Sequence, residues 1–190
     1  MTERIIIAGF GGQGIMTIGK MLAQVATGRG LQVTFIPAYG PEVRGGTAHC
    51  EVVLSDEPIP SPLVEQADTL IILNQPSYDK FRPRLKPDGV ALLNSSMAQP
   101  APGDTRSLLI AATDAANELG NVRVTNLVAL GAYAQMRGGV PLDAVMEVLA
   151  TELAGSRAHL LEVNRQAFLK GQELARKAGK IIPLLFTKNS

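Results

Sequence analysis

Apolar positions in the first third of the chain alternate between the spacing of a buried strand and that of an amphipathic helix. Residues 4–9 form a β-branched run that ends in glycine, which predicts a buried strand. Over residues 15–27 apolar side chains recur at helical spacing, and the Gly-Arg-Gly of residues 28–30 ends that helix. Further strands are predicted at residues 31–36 and 47–54. The chain therefore begins with a strand, a glycine turn, a helix and two strands.

The connection between the second and third strands is too short for a parallel crossover. It comprises the ten residues 37–46, which include two prolines and three glycines. A parallel crossover needs a dozen or more residues, so the third strand is predicted to run antiparallel to the second. Its positions alternate, which predicts one buried face and one face that is polar or covered by a partner. The first face holds Ala48, Cys50, Val52 and Leu54, and the second holds Thr47, His49 and Glu51.

The rest of the chain predicts more strands and then a helical second half. Strands are expected at 69–73, 90–94 and 107–110, a turn at 86–89, and helices at 77–85, 111–119, 125–136, 141–153 and 157–178. This order predicts an α/β fold with a Rossmann-like, doubly wound mixed sheet. The sheet is mostly parallel with an antiparallel hairpin strand, is flanked by helices, and is followed by a helical C-terminal portion. Residues 1–180 are expected to form a single domain, and the apolar tail 181–190 to dock on this domain or on a partner.

Composition narrows the classes of partner. The 190 residues are 46% hydrophobic, and 18 Lys and Arg face 17 Asp and Glu without a long block of either sign. We therefore expect neither a nucleic-acid nor a membrane partner. The single cysteine, Cys50, excludes an internal disulfide and any zinc or iron–sulfur site built from several cysteines of this chain. With no charged-then-apolar leader before Ile5 and no run approaching the ~20 residues of a membrane span, the expected location is cytoplasmic.

The first motif is the glycine turn after the first strand, residues 8–14, AGFGGQG. It has the G-x-G-x-x-G spacing of a dinucleotide site, yet residues 15–41 contain no acidic side chain to receive a ribose. Residues 14–20 also match a P-loop, but Met21 stands where Ser or Thr would bind magnesium. A third interpretation is that the glycines only allow a tight turn between strand and helix. A strand-to-helix junction nevertheless exposes free N–H groups that favour an anion, and Gln13 can add an amide.

The second motif is the loop that follows the second strand, residues 39–47, YGPEVRGGT. Because the ends of the first two parallel strands are expected to lie side by side, this loop is predicted to reach the glycine turn. Charged side chains in a surface loop, such as Glu42 and Arg44 here, are usually solvated and contribute little to stability. Among glycines, however, Arg44 can approach a phosphate with bidentate geometry. His49 is interpreted as a structural or interface histidine, because no nucleophile or orienting carboxylate stands at a recognisable spacing.

At these motifs the chain resembles the gamma subunit of the 2-oxoacid:ferredoxin oxidoreductases. The matching stretches are GFGGQG at 9–14, YGPEVRGGT at 39–47, SDEPI at 55–59, NQP at 74–76 and LKPDG at 85–89. Pyruvate-type gamma subunits tend to carry a doubled arginine followed by Gly-Ala-Pro in the second motif. The VRGGT of residues 43–47 is instead similar to the 2-oxoglutarate type.

The resemblance implies a division of labour among several chains. It implies that thiamine diphosphate, Mg²⁺ and the 2-oxoacid lie between alpha and beta chains, and that iron–sulfur clusters lie on the beta chain or a small delta chain. The gamma domain closes over coenzyme A, the co-substrate, and reaches ferredoxin only indirectly. The implied reaction is oxidative decarboxylation of a 2-oxoacid to acyl-CoA and CO₂ with reduction of ferredoxin. This chain would hold no cofactor alone, supply no catalytic residue or metal ligand, and be inactive alone.

The resemblance also assigns site residues. Gly11, Gly12, Gln13 and Gly14 are expected to form a backbone and amide rim on the cofactor side. Arg44, beside Gly45 and Gly46, is expected to pair with a phosphate of coenzyme A, and Tyr39 and Glu42 to position the loop or contact a partner. Three alternatives stay open: a free-standing nucleotide-binding oxidoreductase, the beta chain of indolepyruvate:ferredoxin oxidoreductase, and a binding or scaffold protein with a vestigial glycine turn.

Overall fold

The computed structural model describes residues 2–39 and 47–179. Its strands are β1 (Thr2–Phe10), β2 (Gln32–Tyr39), β3 (Thr47–Ser55), β4 (Ala67–Ile72), β5 (Leu85–Asn94) and β6 (Ser107–Ile110). Its α-helices are α1 (Ile15–Gly28), α2 (Gln75–Phe81), α3 (Ala112–Glu118), α4 (Thr125–Arg137), α5 (Leu142–Glu152) and α6 (Leu161–Lys177). Short 3-10 helices lie at Arg82–Arg84, Val122–Val124 and Gly155–Leu160.

The six strands form one mixed sheet in the order β2-β3-β1-β4-β5-β6. Strands β1, β4, β5 and β6 are parallel, and β3 is antiparallel to both of its neighbours. The predicted fold class and the predicted direction of the third strand are therefore confirmed.

The predicted adjacency of the first two strands is wrong, because β3 lies between β1 and β2. The hairpin of β2 and β3 enters the sheet with β3 inside, paired with β1 from Thr2↔Ser55 to Phe10↔Thr47. The physical reason lies in the two strands. From residue 50 to residue 55 β3 is buried on both faces, whereas β2 is largely half-buried and contains Pro37, which cannot donate to a ladder and is tolerated at an edge.

Helices cover both faces of the sheet. On one face α1, α3, α4, α5 and α6 pack over a large core, and on the other α2 packs over a smaller one. The polar face of β3 is covered by this chain itself, because the His49 ring lies 4.8 Å from the Phe81 ring and Glu51 binds Arg84 at 2.6 Å. Both faces of β3 are thus occupied within the chain.

Two local predictions are wrong. Residues 86–89, predicted as a turn, belong to β5 and form a bulge there. Ala67 of β4 pairs with Leu85 and Thr69 with Val90, so β5 advances by five residues where β4 advances by two. The last helix begins at Leu161 rather than at residue 157, because the preceding residues form the 3-10 helix Gly155–Leu160. Tightening of this kind is frequent at the ends of α-helices.

A buried polar cluster ties α4 to the end of the sheet opposite the glycine turn. The carboxylate of Glu3, 2% exposed, accepts hydrogen bonds from Thr69 at 2.6 Å and Tyr133 at 2.8 Å, and lies 3.1 Å from the Arg137 guanidinium. Burial raises the pKa of Tyr133, so its phenol stays a donor. Because every group in this cluster has a partner, α4 is held against β1 and β4.

Helices α4 and α6 are in close contact at two glycines. A Cβ atom on Gly131 would overlap the backbone carbonyl of Phe168, and one on Gly171 would overlap that of Val128. Both obstacles are backbone atoms, so neither helix can relieve an added methyl group by a side-chain rotation. The two helices lie at this distance only because both positions lack a side chain.

We expect the substitution Gly131→Ala to lower the free energy of unfolding by about 3 kcal/mol, because α4 and α6 must move apart. Gly28→Ala at the end of α1 is the matched control, since its Cβ meets nothing within 4 Å. We expect that control to be unchanged or raised by up to about 1 kcal/mol. Urea unfolding of both variants tests this, and equal effects would contradict the close contact.

Candidate functional site

Within the glycine turn, residues 11–14 join the end of β1 to the start of α1. The turn is closed by a hydrogen bond from the backbone N–H of Gln13 to the carbonyl of Phe10 at 3.2 Å. Gly12 and Gly14 have φ values of 95° and 74°, which residues with a side chain rarely adopt. Gly14 is the N-cap of α1, so no side chain caps this helix, and its first turn contains no acidic residue. The positive end of α1 is thus left uncompensated there.

The outer side of the turn is open. Gly11 and Gly12 are exposed, and a Cβ atom on either would meet nothing within 4 Å. Their N–H groups and that of Gly14 find no acceptor in the part of the chain that the structure describes. The turn therefore offers backbone donors beside a positive helix end, which is an arrangement suited to an anion or a polar ligand group.

Gln13 turns its side chain inward. Its Oε1 accepts hydrogen bonds from the Phe10 N–H at 2.6 Å and from Asn74 Nδ2 at 3.3 Å. Its Nε2 lies 3.5 Å from the Leu73 carbonyl oxygen and 3.6 Å from Met97 Sδ. The structure thus brings Gln13 to the predicted site, where its carbonyl oxygen anchors the turn to the neighbouring strand.

Two buried asparagines that the sequence analysis missed complete this edge of the sheet. Asn74 follows β4 and caps α2 by accepting from the Ser77 N–H at 2.9 Å. Asn94 ends β5, accepts from the Ala112 N–H at 3.0 Å at the start of α3, and donates to the Leu73 carbonyl at 3.2 Å. A signal existed for Asn74, since asparagine directly before a helix with an early proline is typical of an N-cap. Asn94 offers no local signal, because α3 begins 18 residues later.

Two residues of the second motif, Tyr39 and Thr47, lie within the described residues. Thr47 pairs with Phe10, so β3 rather than β2 borders the glycine turn. Tyr39 ends β2 and is 74% exposed. The other four predicted residues of this motif, Glu42, Arg44, Gly45 and Gly46, lie outside the described residues.

The strand order also weighs against a dinucleotide. In the dinucleotide fold the second strand carries the ribose-binding acid beside the first strand, whereas here β3 separates β2 from β1. The end of β2 therefore lies one strand away from the glycine turn. The missing acidic residue and the strand order point in the same direction.

The side chains near the site are poor candidates for chemistry. Burial raises the pKa of the Cys50 thiol to about 12, and this thiol lies 3.7 Å from the carbonyl oxygen of Ile15. Burial and the nearby Lys80 lower the pKa of His49, which packs on Phe81. Across residues 2–39 and 47–179 no group of three or more His, Cys, Asp or Glu is arranged to hold a metal ion. No helix in the same ranges is long and apolar enough to span a membrane.

Comparison with known proteins covers nearly the whole chain. Residues 4–174 match the family model described as pyruvate ferredoxin/flavodoxin oxidoreductase. The chain is 37% identical to ketoisovalerate oxidoreductase subunit VorA of Methanothermobacter thermautotrophicus over 92% of its own length and 36% of that protein. It therefore spans about a third of the VorA relatives. It is 32% identical to 2-oxoglutarate synthase subunit KorC of Methanocaldococcus jannaschii, over 93% of this chain and 96% of that one.

Solved structures share the fold. The gamma subunit of a keto/oxoacid ferredoxin oxidoreductase from Geobacter sulfurreducens is 33% identical, with a TM-score of 0.80, over 94% of this chain and 98% of that one. The 2-oxoglutarate:ferredoxin oxidoreductase from Magnetococcus marinus, solved with 2-oxoglutarate, coenzyme A and succinyl-CoA bound, is 26% identical with a TM-score of 0.87. That match covers 96% of this chain and 32% of that one.

We expect Gly14→Ala to lower the free energy of unfolding by about 3 kcal/mol. The new residue would have to adopt a positive φ, and its Cβ would lie 2.8 Å from Cγ of Asn126. Gly11→Ala is the control, because its Cβ points into open space, and we expect a change within about 0.5 kcal/mol. Urea unfolding compares the two. A Gly14→Ala protein as stable as the control would show that the left-handed turn is not required.

Proposed function

Because the chain belongs to the pyruvate ferredoxin/flavodoxin oxidoreductase family, we propose that it is the gamma subunit of a multi-subunit 2-oxoacid:ferredoxin oxidoreductase. That enzyme oxidatively decarboxylates a 2-oxoacid to acyl-CoA and CO₂ and reduces ferredoxin. Its alpha and beta subunits, and in some assemblies a delta subunit, are the partners of this chain, which is inactive without them.

This proposal rests on matches between this chain and separate subunits of such enzymes that extend over nearly their whole length. The KorC relative is covered over 96% of its length and the Geobacter gamma subunit over 98%, so this chain aligns with nearly the whole of two separate subunits. We propose 2-oxoglutarate as the substrate, because the VRGGT of residues 43–47 is similar to the 2-oxoglutarate type and the KorC relative is a subunit of 2-oxoglutarate synthase. A branched 2-oxoacid is the second candidate, because the VorA relative has the higher identity.

The contribution of this chain is to close over coenzyme A. The free N–H groups of Gly11, Gly12 and Gly14 form a rim of donors at the positive end of α1, and Gln13 holds that rim in place. Backbone N–H groups do not change their protonation during the reaction, so the rim binds and orients the co-substrate and excludes water.

Arg44 is the group we propose to pair with a phosphate of coenzyme A. It stands three residues before Thr47, so chain connectivity alone keeps it within roughly 11 Å of that residue. Thr47 in turn pairs with Phe10 at the glycine turn. Gly45 and Gly46 permit a close backbone approach to the phosphate, and a guanidinium binds a phosphate with two parallel hydrogen bonds.

The redox cofactors belong to the partner subunits in this proposal. The buried Cys50 does not fit an iron–sulfur cluster, because its thiol has a pKa of about 12 and points at a backbone carbonyl. Thiamine diphosphate with Mg²⁺ supplies the decarboxylation, and the iron–sulfur clusters supply the electron transfer. All of these groups are held by the alpha, beta and delta chains.

The remaining predicted features are assigned to assembly. We propose that residues 1–180 form one gamma-type domain and that the tail 181–190 docks on it or on a partner. Tyr39, which is largely exposed at the end of β2, is proposed to contact a partner, and Glu42 to position the loop. In this account the chain acts in the cytoplasm, without nucleic acid or membrane.

We expect Arg44→Ala to raise the apparent KM for coenzyme A of the assembled enzyme about tenfold, because a charge-assisted contact to phosphate is lost. The KM for the 2-oxoacid should not change, since that substrate binds elsewhere. Arg29→Ala, which removes an exposed arginine at the opposite end of α1, is the matched control. Steady-state kinetics with each substrate varied in turn provide the measurement. An unchanged dependence on coenzyme A in the Arg44 variant would remove Arg44 from this role.

A further inference from the structure

Met97 is the most exposed methionine in residues 2–39 and 47–179. It is 42% exposed, whereas Met21 and Met136 are buried and Met16 and Met146 are half-buried against the helical core. A thioether is oxidised to a sulfoxide where a peroxide can reach its sulfur. Exposure therefore favours oxidation of Met97 over that of the other four methionines in these ranges.

The turn that follows β5 holds Met97 in place. The backbone N–H groups of Met97 and Ala98 both donate to the carbonyl of Asn94 at 3.0 Å. Two residues after Met97, the Gln99 N–H donates to Oε1 of Gln75 at 2.7 Å, which ties the chain to the start of α2. Because the backbone is fixed on both sides, Met97 is held at the edge of the sheet where the glycine turn lies.

The sulfur of Met97 contacts the side chain that anchors the glycine turn. Its Sδ lies 3.6 Å from Nε2 of Gln13. The same Nε2 lies 3.5 Å from the Leu73 carbonyl oxygen, which already receives a closer bond from Asn94 at 3.2 Å. A thioether is a weak acceptor. Both contacts of this Nε2 are thus long, and an oxygen atom bonded to the sulfur would supply a stronger acceptor.

The single cysteine does not compete with Met97 for a peroxide. The thiol of Cys50 is buried, and burial raises its pKa to about 12. Because the thiolate is the form that reacts with peroxides, Cys50 stays reduced while Met97 is oxidised.

We propose that Met97 is a peroxide-sensitive modification site whose sulfoxide binds Gln13 and thereby couples the glycine turn to oxidation. One oxygen atom passes from hydrogen peroxide to Sδ, so that an S–O bond forms, the O–O bond breaks and the remaining oxygen leaves as water. The sulfur loses two electrons, which the peroxide accepts. The sulfoxide oxygen then accepts a hydrogen bond from Nε2 of Gln13. Because Oε1 of Gln13 accepts from the Phe10 N–H at 2.6 Å, the change reaches the end of β1, where the turn begins.

The first test is selective oxidation of the full 190-residue chain, without the proposed partner subunits. Hydrogen peroxide is added, and the oxygen gained by each methionine is followed by peptide mass spectrometry. We expect Met97 to be oxidised at least about tenfold faster than Met16 and Met146, because both of these pack against the core. The difference should vanish in urea, where all methionines are exposed. Met1, which lies outside the described residues, is scored separately.

The second test is NMR of the ¹⁵N-labelled chain before and after oxidation. We expect the Nε2 resonances of Gln13 and the backbone amide of Phe10 to shift when Met97 is oxidised. The side-chain amide of Gln166, which donates to Glu162 at 3.0 Å on α6, should stay in place. A methionine sulfoxide reductase with a thiol should return the shifted resonances to their original positions.

Matched methionine variants assign the effect to one sulfur. Met97→Leu keeps an apolar side chain without a sulfur and should abolish the peroxide-induced shifts of Gln13. Met146→Leu removes a half-buried methionine on α5 and should leave those shifts unchanged. Equal oxidation rates of Met97 and Met146 in the folded chain, unchanged Gln13 resonances after oxidation of Met97, or the same shifts in Met97→Leu would each overturn the proposal.

Discussion

The amide side chains of Gln13, Asn74 and Asn94 satisfy the backbone where the parallel strands end, and the site depends on them. At this edge the strand ladders stop and the helices α1, α2 and α3 begin, so several N–H and carbonyl groups lack a regular partner. Gln13 accepts from Phe10, Asn74 caps α2, and Asn94 binds the start of α3. Because the amide nitrogens of these three side chains also donate within the fold, the open donors of the glycine turn are its backbone N–H groups.

Local features of the fold could be predicted from the sequence, and features set by distant pairing could not. The β-branched run of β1, the apolar spacing of α1 and the short link before β3 each carry their own signal, and the structure confirms them. Nothing local states that β3 inserts between β1 and β2, because that order depends on which strand edge is better buried. The Pro-Asp-Gly of residues 87–89 favours a turn as well as a bulge, so it predicts a turn where the structure has the bulge in β5.

The site shows the same division between local and distant signals. The glycines at 11, 12 and 14 could be identified from their spacing, and the structure places them with open N–H groups. The inward turn of Gln13 could not be predicted, since its partners Asn74 and Leu73 lie 60 or more residues away.

The buried Cys50 thiol and the packing of His49 on Phe81 agree with the proposed role of this chain, which is to close a site whose chemistry the partner subunits carry out. The resemblance to gamma subunits is confirmed by the family match and by two relatives that are covered over nearly their whole length. The most direct test of the account is an anaerobic pull-down of the tagged chain from its own cells, with the eluate assayed for coenzyme A-dependent dye reduction. The account predicts at least two co-purifying chains and activity that is highest with 2-oxoglutarate among 2-oxoglutarate, pyruvate, 2-oxoisovalerate and indolepyruvate. A single, colourless and inactive chain obtained under gentle conditions would contradict it.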